Sequence, residues 1–363
     1  MQFVVDRTGS IAALDEAIHT LSASGAGALQ VLAAIGNGWD SAMLDPLIAN
    51  SPVPIFGGMF PGVVAEGERL DRGAIILAHA SPVRIDIVSL RGDTPKLDVL
   101  ADDTSGRSLV AWYDATCSTG PLLDLLFDEL GAGPTWVGGG AGALDFAERP
   151  VVITPLGLLG GVAVVASLAE RLLVGVAHGW EPFGATLRVT ESRGNDAIAL
   201  NWRPAFDVYR EIVERHSGRR FDDEAFFDLA SRYPLILERF DGEGIVRDPL
   251  EVLTDGSLRC AGEIPLHATV RIATGEVEQM LDAAVTARVR AETDGVPENA
   301  ISLAIDCISR ALILQERLHD ELARLRPEST PQVGALTIGE IANCRRRYLQ
   351  LHNKTAVVGV LGP

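Results

Sequence analysis

The chain has 363 residues, 47% of them hydrophobic and 22% charged, and a net charge of −18. That length leads us to expect two domains, and the composition supports a large buried core rather than disorder. The acidic balance argues against a surface built for nucleic-acid phosphates or anionic lipid.

In chain order, the first pattern is an apolar run, Leu29 to Ile35, followed by the polar turn Gly36-Asn37-Gly38 and a short helix over Ser41 to Ala49. A second apolar run, Val53 to Phe56, ends in Gly57-Gly58, and two β-like runs follow at Gly73 to His79 and Val83 to Leu90. The order then repeats. Ser108 to Tyr113 reads as a strand, Cys117 to Gly120 as a turn, and Pro121 to Leu130 as a helix with proline at its first position. Thr135 to Val137 is a strand running into Gly138-Gly139-Gly140, and strands follow at Gly161 to Ser167 and Leu172 to Ala177. The glycine pairs of the two copies lie 81 residues apart (138 − 57).

A third copy stands near the C-terminus. It has a strand over Ala300 to Asp306, a helix over Ser309 to Leu325 with a leucine stripe, a strand over Gln332 to Ile338 ending at Gly339-Glu340, and a last strand over Thr355 to Leu361. Between copies two and three lie helices at Pro204 to His216, Phe226 to Tyr233 and Gly275 to Arg290, with strands over Leu258 to Ile272 broken at Pro265. The fold expected is mixed α/β: repeated strand–helix–strand units with parallel pairing, antiparallel extensions, and layered sheets and helices. The domain boundary is placed near residue 203, giving 1–203 and 204–363.

Cys117, Cys260, Cys307 and Cys344 are far apart, with no CxxC pair, as expected of reduced thiols in a cytoplasmic protein. The N-terminus shows no basic-then-apolar secretory pattern. Gly157 to Gly179 is long enough to span a bilayer, but Glu170 and Arg171 stand at its middle, so it reads as two buried strands joined by a charged turn. Arg345-Arg346-Arg347 reads as a solvated turn or strand end.

Three groups could carry chemistry. The glycine stretches Gly57-Gly58, Gly138-Gly139-Gly140 and Gly339 expose backbone N–H groups at strand ends, where ligands of open sheets sit; each also reads as a tight turn. No lysine follows in Walker spacing, so nucleotide binding is not signalled. The second group is Cys307, Arg310, Glu340, His352, Asn353 and Thr355. Arg310 could clamp a carboxylate and Glu340 an ammonium, with Asn353 and Thr355 completing a set for a zwitterion. The plainer reading pairs Arg310 with Glu340 and makes Asn353 a turn cap. Cys117 and Cys307, each before a helix, are the third group, as nucleophiles of a hydrolase or transferase; Ser118 or Thr119 as a helix cap is the simpler reading. The histidines lack metal-ligand spacing, so no metal site is expected; a haem needs one axial ligand, for which His178 is the candidate.

These residues together resemble the FIST family, over nearly the whole chain. The resemblance is carried by Val137 to Ala141 with Gly142, by Val176 to Trp180, by Val189-Thr190 and by Arg203 to Tyr209. In the C-terminal part it rests on Asp306-Cys307 with Arg310, Gly339-Glu340-Ile341, and His352-Asn353-Lys354-Thr355. It implies a non-enzymatic sensory module that binds a small, amino-acid-like ligand and signals to a protein partner. Some relatives bind haem and sense nitric oxide. Relatives often carry a Gly-Cys-Ser/Thr run where this chain has Gly57-Gly58-Met59-Phe60-Pro61-Gly62. No cofactor is expected.

Overall fold

The computed structural model describes residues 1–92, 95–98, 100, 107–239, 243–343 and 348–363. Cys344 and the basic run Arg345 to Arg347 lie outside the described residues. The chain opens with β1 (Gln2–Asp6) and α1 (Ile11–Ala23), which the sequence patterns did not reveal. The first repeat contains β2 (Ala28–Ala34), α2 (Ser41–Asn50), β3 (Ile55–Phe60), β4 (Gly62–Ala65), β5 (Glu68–Leu70), β6 (Ala74–His79) and β7 (Arg84–Ser89). The second contains β8 (Ser108–Asp114), α3 (Gly120–Leu130), β9 (Thr135–Ala141), β10 (Val152–Thr154), β11 (Gly157–Leu159), β12 (Val162–Leu168) and β13 (Arg171–Ala177).

After these come β14 (Glu181–Arg193), β15 (Asp196–Leu200), β16 (Arg203–Pro204), α4 (Ala205–Ser217), α5 (Phe226–Ala230) and β17 (Leu235–Leu237). They continue into β18 (Ile245–Arg247), β19 (Pro249–Val252), β20 (Leu258–Cys260), β21 (Thr269–Thr274) and α6 (Val277–Glu292). The third repeat contains β22 (Ile301–Cys307), α7 (Ile308–Leu314), α8 (Leu318–Leu325), β23 (Gln332–Thr337), β24 (Glu340–Ala342), β25 (Gln350–His352) and β26 (Ala356–Gly362). The expected mixed architecture is present.

The chain divides into two compact units. One comprises 1–177, 284–351 and 356–363; the other comprises 178–283 and 352–355. The first unit holds three sheets of the same plan, ordered β1-β6-β2-β3-β10-β11, β7-β12-β8-β9-β24-β25 and β13-β26-β22-β23-β4-β5. In each, two strands of one repeat run parallel through a helical crossover, and the repeat's later strand returns antiparallel. Both edges of each sheet are supplied from elsewhere in the chain. β4 pairs with β23, β10 with β3, and β24 with β9. On the opposite edges, β7 pairs with β12, β13 with β26, and β1 with β6. The consecutive runs expected as antiparallel extensions, Gly73 to His79 with Val83 to Leu90 and Gly161 to Ser167 with Leu172 to Ala177, therefore separate: the two strands of each join different sheets. The segment 157–179 does fold as strands, with Glu170 in the turn before β13, which begins at Arg171, and among the described residues no helix is long and apolar enough to cross a membrane.

One core joins the inner faces of all three sheets. Leu29, Val31, Phe56, Phe60, Trp112, Val137, Leu303, Ile305, Val333 and Ala335 belong to it, and Phe60 meets Trp112 edge to face at 5.1 Å. The first parallel strand of each repeat is buried along its whole length, which is why it reads as an unbroken apolar run.

The three parallel pairs share one constraint. Gly57, Gly138 and Gly334 face Val31, Ala111 and Ala304 in register. A Cβ at any of the three would sit 1.9 Å from that residue's carbonyl oxygen. Gly334, not Gly339, is thus the third copy's counterpart of Gly57 and Gly138.

The second unit carries its own antiparallel sheet, ordered β18-β17-β21-β14-β15-β20-β19, with β16 on β15. Tyr209 and Val213 of α4 pack with Leu235, Leu258 and Ile272 in its core. Gly334→Ala and Gly138→Ala are each expected to lower unfolding free energy by about 3 kcal/mol through forced overpacking. Gly67→Ala, at an open site with φ +83°, should cost only about 1 kcal/mol. Urea denaturation of the three variants checks the ranking.

Candidate functional site

Gly57 and Gly58 lie within β3, and Gly138, Gly139 and Gly140 within β9, rather than in loops beyond the strands. A Cβ on Gly139 would meet Thr337 at 2.6 Å, and Gly140 exchanges hydrogen bonds with the 338–339 turn, at 2.9 Å to Gly339 O and 3.0 Å from Ile338 N. Gly339 itself turns the chain between β23 and β24 with φ +82°. These glycines let the third repeat's hairpin lie against the second repeat's strand. Gly57, Gly138 and Gly140 come closest to neighbouring backbone, and Gly58 and Gly139 to side chains; the cleft described below is not lined by any of these glycines.

The polar C-terminal set is brought together in part. Asp306 ends β22, Arg310 follows one turn later on α7, Thr337 ends β23 and Glu340 begins β24. Glu321 of α8 completes the group, and Asp306, Arg310, Glu321 and Glu340 are all fully buried. Arg310 Nε donates to Glu321 Oε1 at 2.8 Å and lies 3.4 Å from Asp306 Oδ1. The Thr337 hydroxyl donates to Glu340 Oε1 at 2.9 Å. Burial, reinforced by the neighbouring Glu321 charge and opposed by Arg310, pushes the Asp306 carboxyl well above the usual carboxylate range. Arg310 is thus held inside the protein by acids of the same repeat.

Glu321 was not visible in the sequence, because one helix was expected over Ser309 to Leu325. In a continuous helix Arg310 and Glu321 would stand about 16 Å apart along the axis. The chain instead breaks at Gln315, with φ +49°, and folds α8 back onto α7. Cys307 is buried at the start of α7. Cys117 is partly exposed, and its sulfur accepts from Arg91 Nε at 3.5 Å. Thr119 is the cap residue of α3, although its side chain makes no capping bond.

Asn353 and Thr355 belong to the second unit. There the Thr355 hydroxyl donates to Asn353 O at 2.7 Å, and Lys354 between them is buried against Asp248 at 3.0 Å. The Lys354 ammonium also lies 5.5 Å from the centre of the Trp180 ring. His178 Nδ1 accepts from Trp180 N at 2.9 Å, and Nε2 stands 3.4 Å from Glu243 Oε1, so both ring nitrogens have neighbours within the protein. Among the described residues no cluster of His, Cys, Asp and Glu has metal-binding geometry.

The first unit also has a cleft of about 980 Å³ that contains none of the candidate ligand-binding residues named from the sequence. It borders the N-terminal ends of β8 and β9, opposite to the strand ends expected to hold a ligand. All three repeats reach it: Pro82 and Arg84 from the first, Arg107, Ser108, Thr135 and 167–173 from the second, and Pro363 from the third. Arg107 has a buried guanidinium nitrogen without a hydrogen-bond partner among the described residues. Glu170, 9% exposed, meets His79 Nδ1 through Oε1 at 3.2 Å, while its Oε2 has no partner among the described residues. Burial opposes ionisation of Glu170, but the His79 contact outweighs it and holds the carboxyl below its usual range. The one sequence signal for this place was the Glu170-Arg171 pair interrupting an apolar stretch.

Arg310→Met should cost about 4 kcal/mol, because it leaves buried carboxylates without their cation. Asp306 binds a proton more tightly folded than unfolded, so its contribution is present below about pH 4 and is lost as pH rises toward its raised folded value. Asp306→Asn should therefore gain stability relative to the parent as pH rises from about 4, by at most about 1.4 kcal/mol per pH unit, in urea titrations at successive pH values.

No curated protein matches the chain. Two family models do, one described as FIST N domain over residues 31–203 and one as FIST C domain over residues 205–343. FIST domains are small-ligand sensory domains of signal transduction, and by these two matches the chain belongs to the FIST family.

Proposed function

We propose that the chain is a non-enzymatic sensor of a small, polar, amino-acid-like ligand, which the cleft of the first unit receives. The observation that carries this reading is a polar cleft to which all three repeats contribute. A ligand changes a protein's state only through different affinities for two arrangements. A molecule touching two of the unit's sheets at once can favour one packing of those sheets over another. Its volume lies within the range of small-molecule pockets, and its walls offer hydroxyls and charges more than apolar surface.

A protein partner reads the change. We place the sensor in the cytoplasm, which suits Cys117, Cys260 and Cys307 as unpaired thiols. Titration calorimetry against the twenty amino acids, with thermal melting alongside, tests the reading. A ligand at a hundred times its Kd should add about 2.7 kcal/mol of stability. Neither heat nor a shift in melting with any of them would overturn it.

A further inference from the structure

The cleft contains charges of both signs. Among the described residues, Arg107 keeps a buried N–H group without an acceptor, and Glu170 keeps a buried carboxylate oxygen without a donor. Arg171, next in the chain to Glu170, is exposed on the same wall and makes no ion pair among the described residues. Arg84 and Asp294 also line the cleft. A buried hydrogen-bonding group left unmade costs about 1–3 kcal/mol, and more where it is charged. Two such groups of opposite sign in one cavity are both relieved by a molecule that brings an anion to one and an amine to the other.

We infer that the cleft recognises a zwitterion, with Arg107 and Arg171 taking its anionic end and Glu170 its ammonium. This rests on the sensor reading above and moves the expected zwitterion chemistry from Arg310 and Glu340 to a different set of residues. Arg310 is already saturated by Glu321 and Asp306, whereas Arg107 is not. His79 acts as a positioning residue. Fully buried, it stands 3.2 Å from Glu170 Oε1 and 3.2 Å from Gln30 Oε1, and its ring stacks on Phe56 at 5.6 Å. One oxygen of Glu170 is thereby fixed, and the other remains for the ligand. The cleft is much larger than the charged ends need, so the ligand's remainder is bulky.

The test compares each amino acid that binds with its deaminated acid and its decarboxylated amine; for phenylalanine these are 3-phenylpropionate and phenethylamine. The intact protein should prefer the zwitterion to either analogue by at least about tenfold, since each analogue leaves one buried charge unmatched. Glu170→Gln should erase the preference over the acid, and Arg107→Gln the preference over the amine. Glu170→Asp and Arg107→Lys should restore part of each, and melting curves show that all four variants are folded. Adding 2-aminoethylphosphonate separates carboxylate from phosphonate recognition at the anionic end. Analogues that bind as tightly as the zwitterion, or folded variants with unchanged discrimination, would overturn the assignment while leaving the sensor reading intact. An intact protein that binds no amino acid overturns both.

Discussion

No repeat of this protein closes its own sheet, and the first unit depends on that fact. Each parallel pair takes a short hairpin or edge strand from another repeat and gives one away, in a cycle completed by β1 on β6. Open sheet edges invite pairing with other chains, and here the exchange uses them for internal assembly. The pairs are distant in sequence: β4 meets β23, and β24 meets β9. A topology of this kind has high contact order, which slows folding. The glycines at 57, 138 and 334 belong to the same constraint, because only a residue without a side chain lets its strand approach the neighbour's carbonyl that closely.

The arrangement sorts buried charge into two kinds. Around Arg310, Asp306 of β22 and Glu321 of α8 converge on one guanidinium, which is paired from within the third repeat. It behaves as a lock on the strand ends of the third repeat. In the cleft by β8 and β9, Arg107 and Glu170 each keep a buried polar atom without a hydrogen-bond partner among the described residues. Charges of the first kind specify structure. Charges of the second kind are what a ligand can use.

Much of the fold was legible in the sequence. Apolar runs of six or seven residues between glycine-rich turns marked the inner strands, and the 81-residue spacing of Gly57 and Gly138 matches true structural equivalence. What the runs could not show was partner choice. Val83 to Leu90 looks like the second arm of a hairpin, yet β7 crosses to the second repeat's sheet, because pairing over such distance leaves no local trace. The third equivalent glycine was assigned to Gly339 since a lone Gly334 inside an apolar run carries no turn signal. The site was less legible. Arg310 stood out by residue type, but its partner Glu321 depended on a helix break at Gln315, a residue with no breaker chemistry. Arg107 and Glu170 are an ordinary arginine and an ordinary glutamate until the strands place them in one cavity.

Hydrogen exchange, resolved by peptide along the whole chain with and without a saturating amino-acid ligand, tests most directly whether the cleft is the place of recognition. The account predicts slowed exchange at 107–110 and 167–173, with smaller effects at 82–85. Protection confined to other segments, with those amides unchanged under saturation, would contradict it.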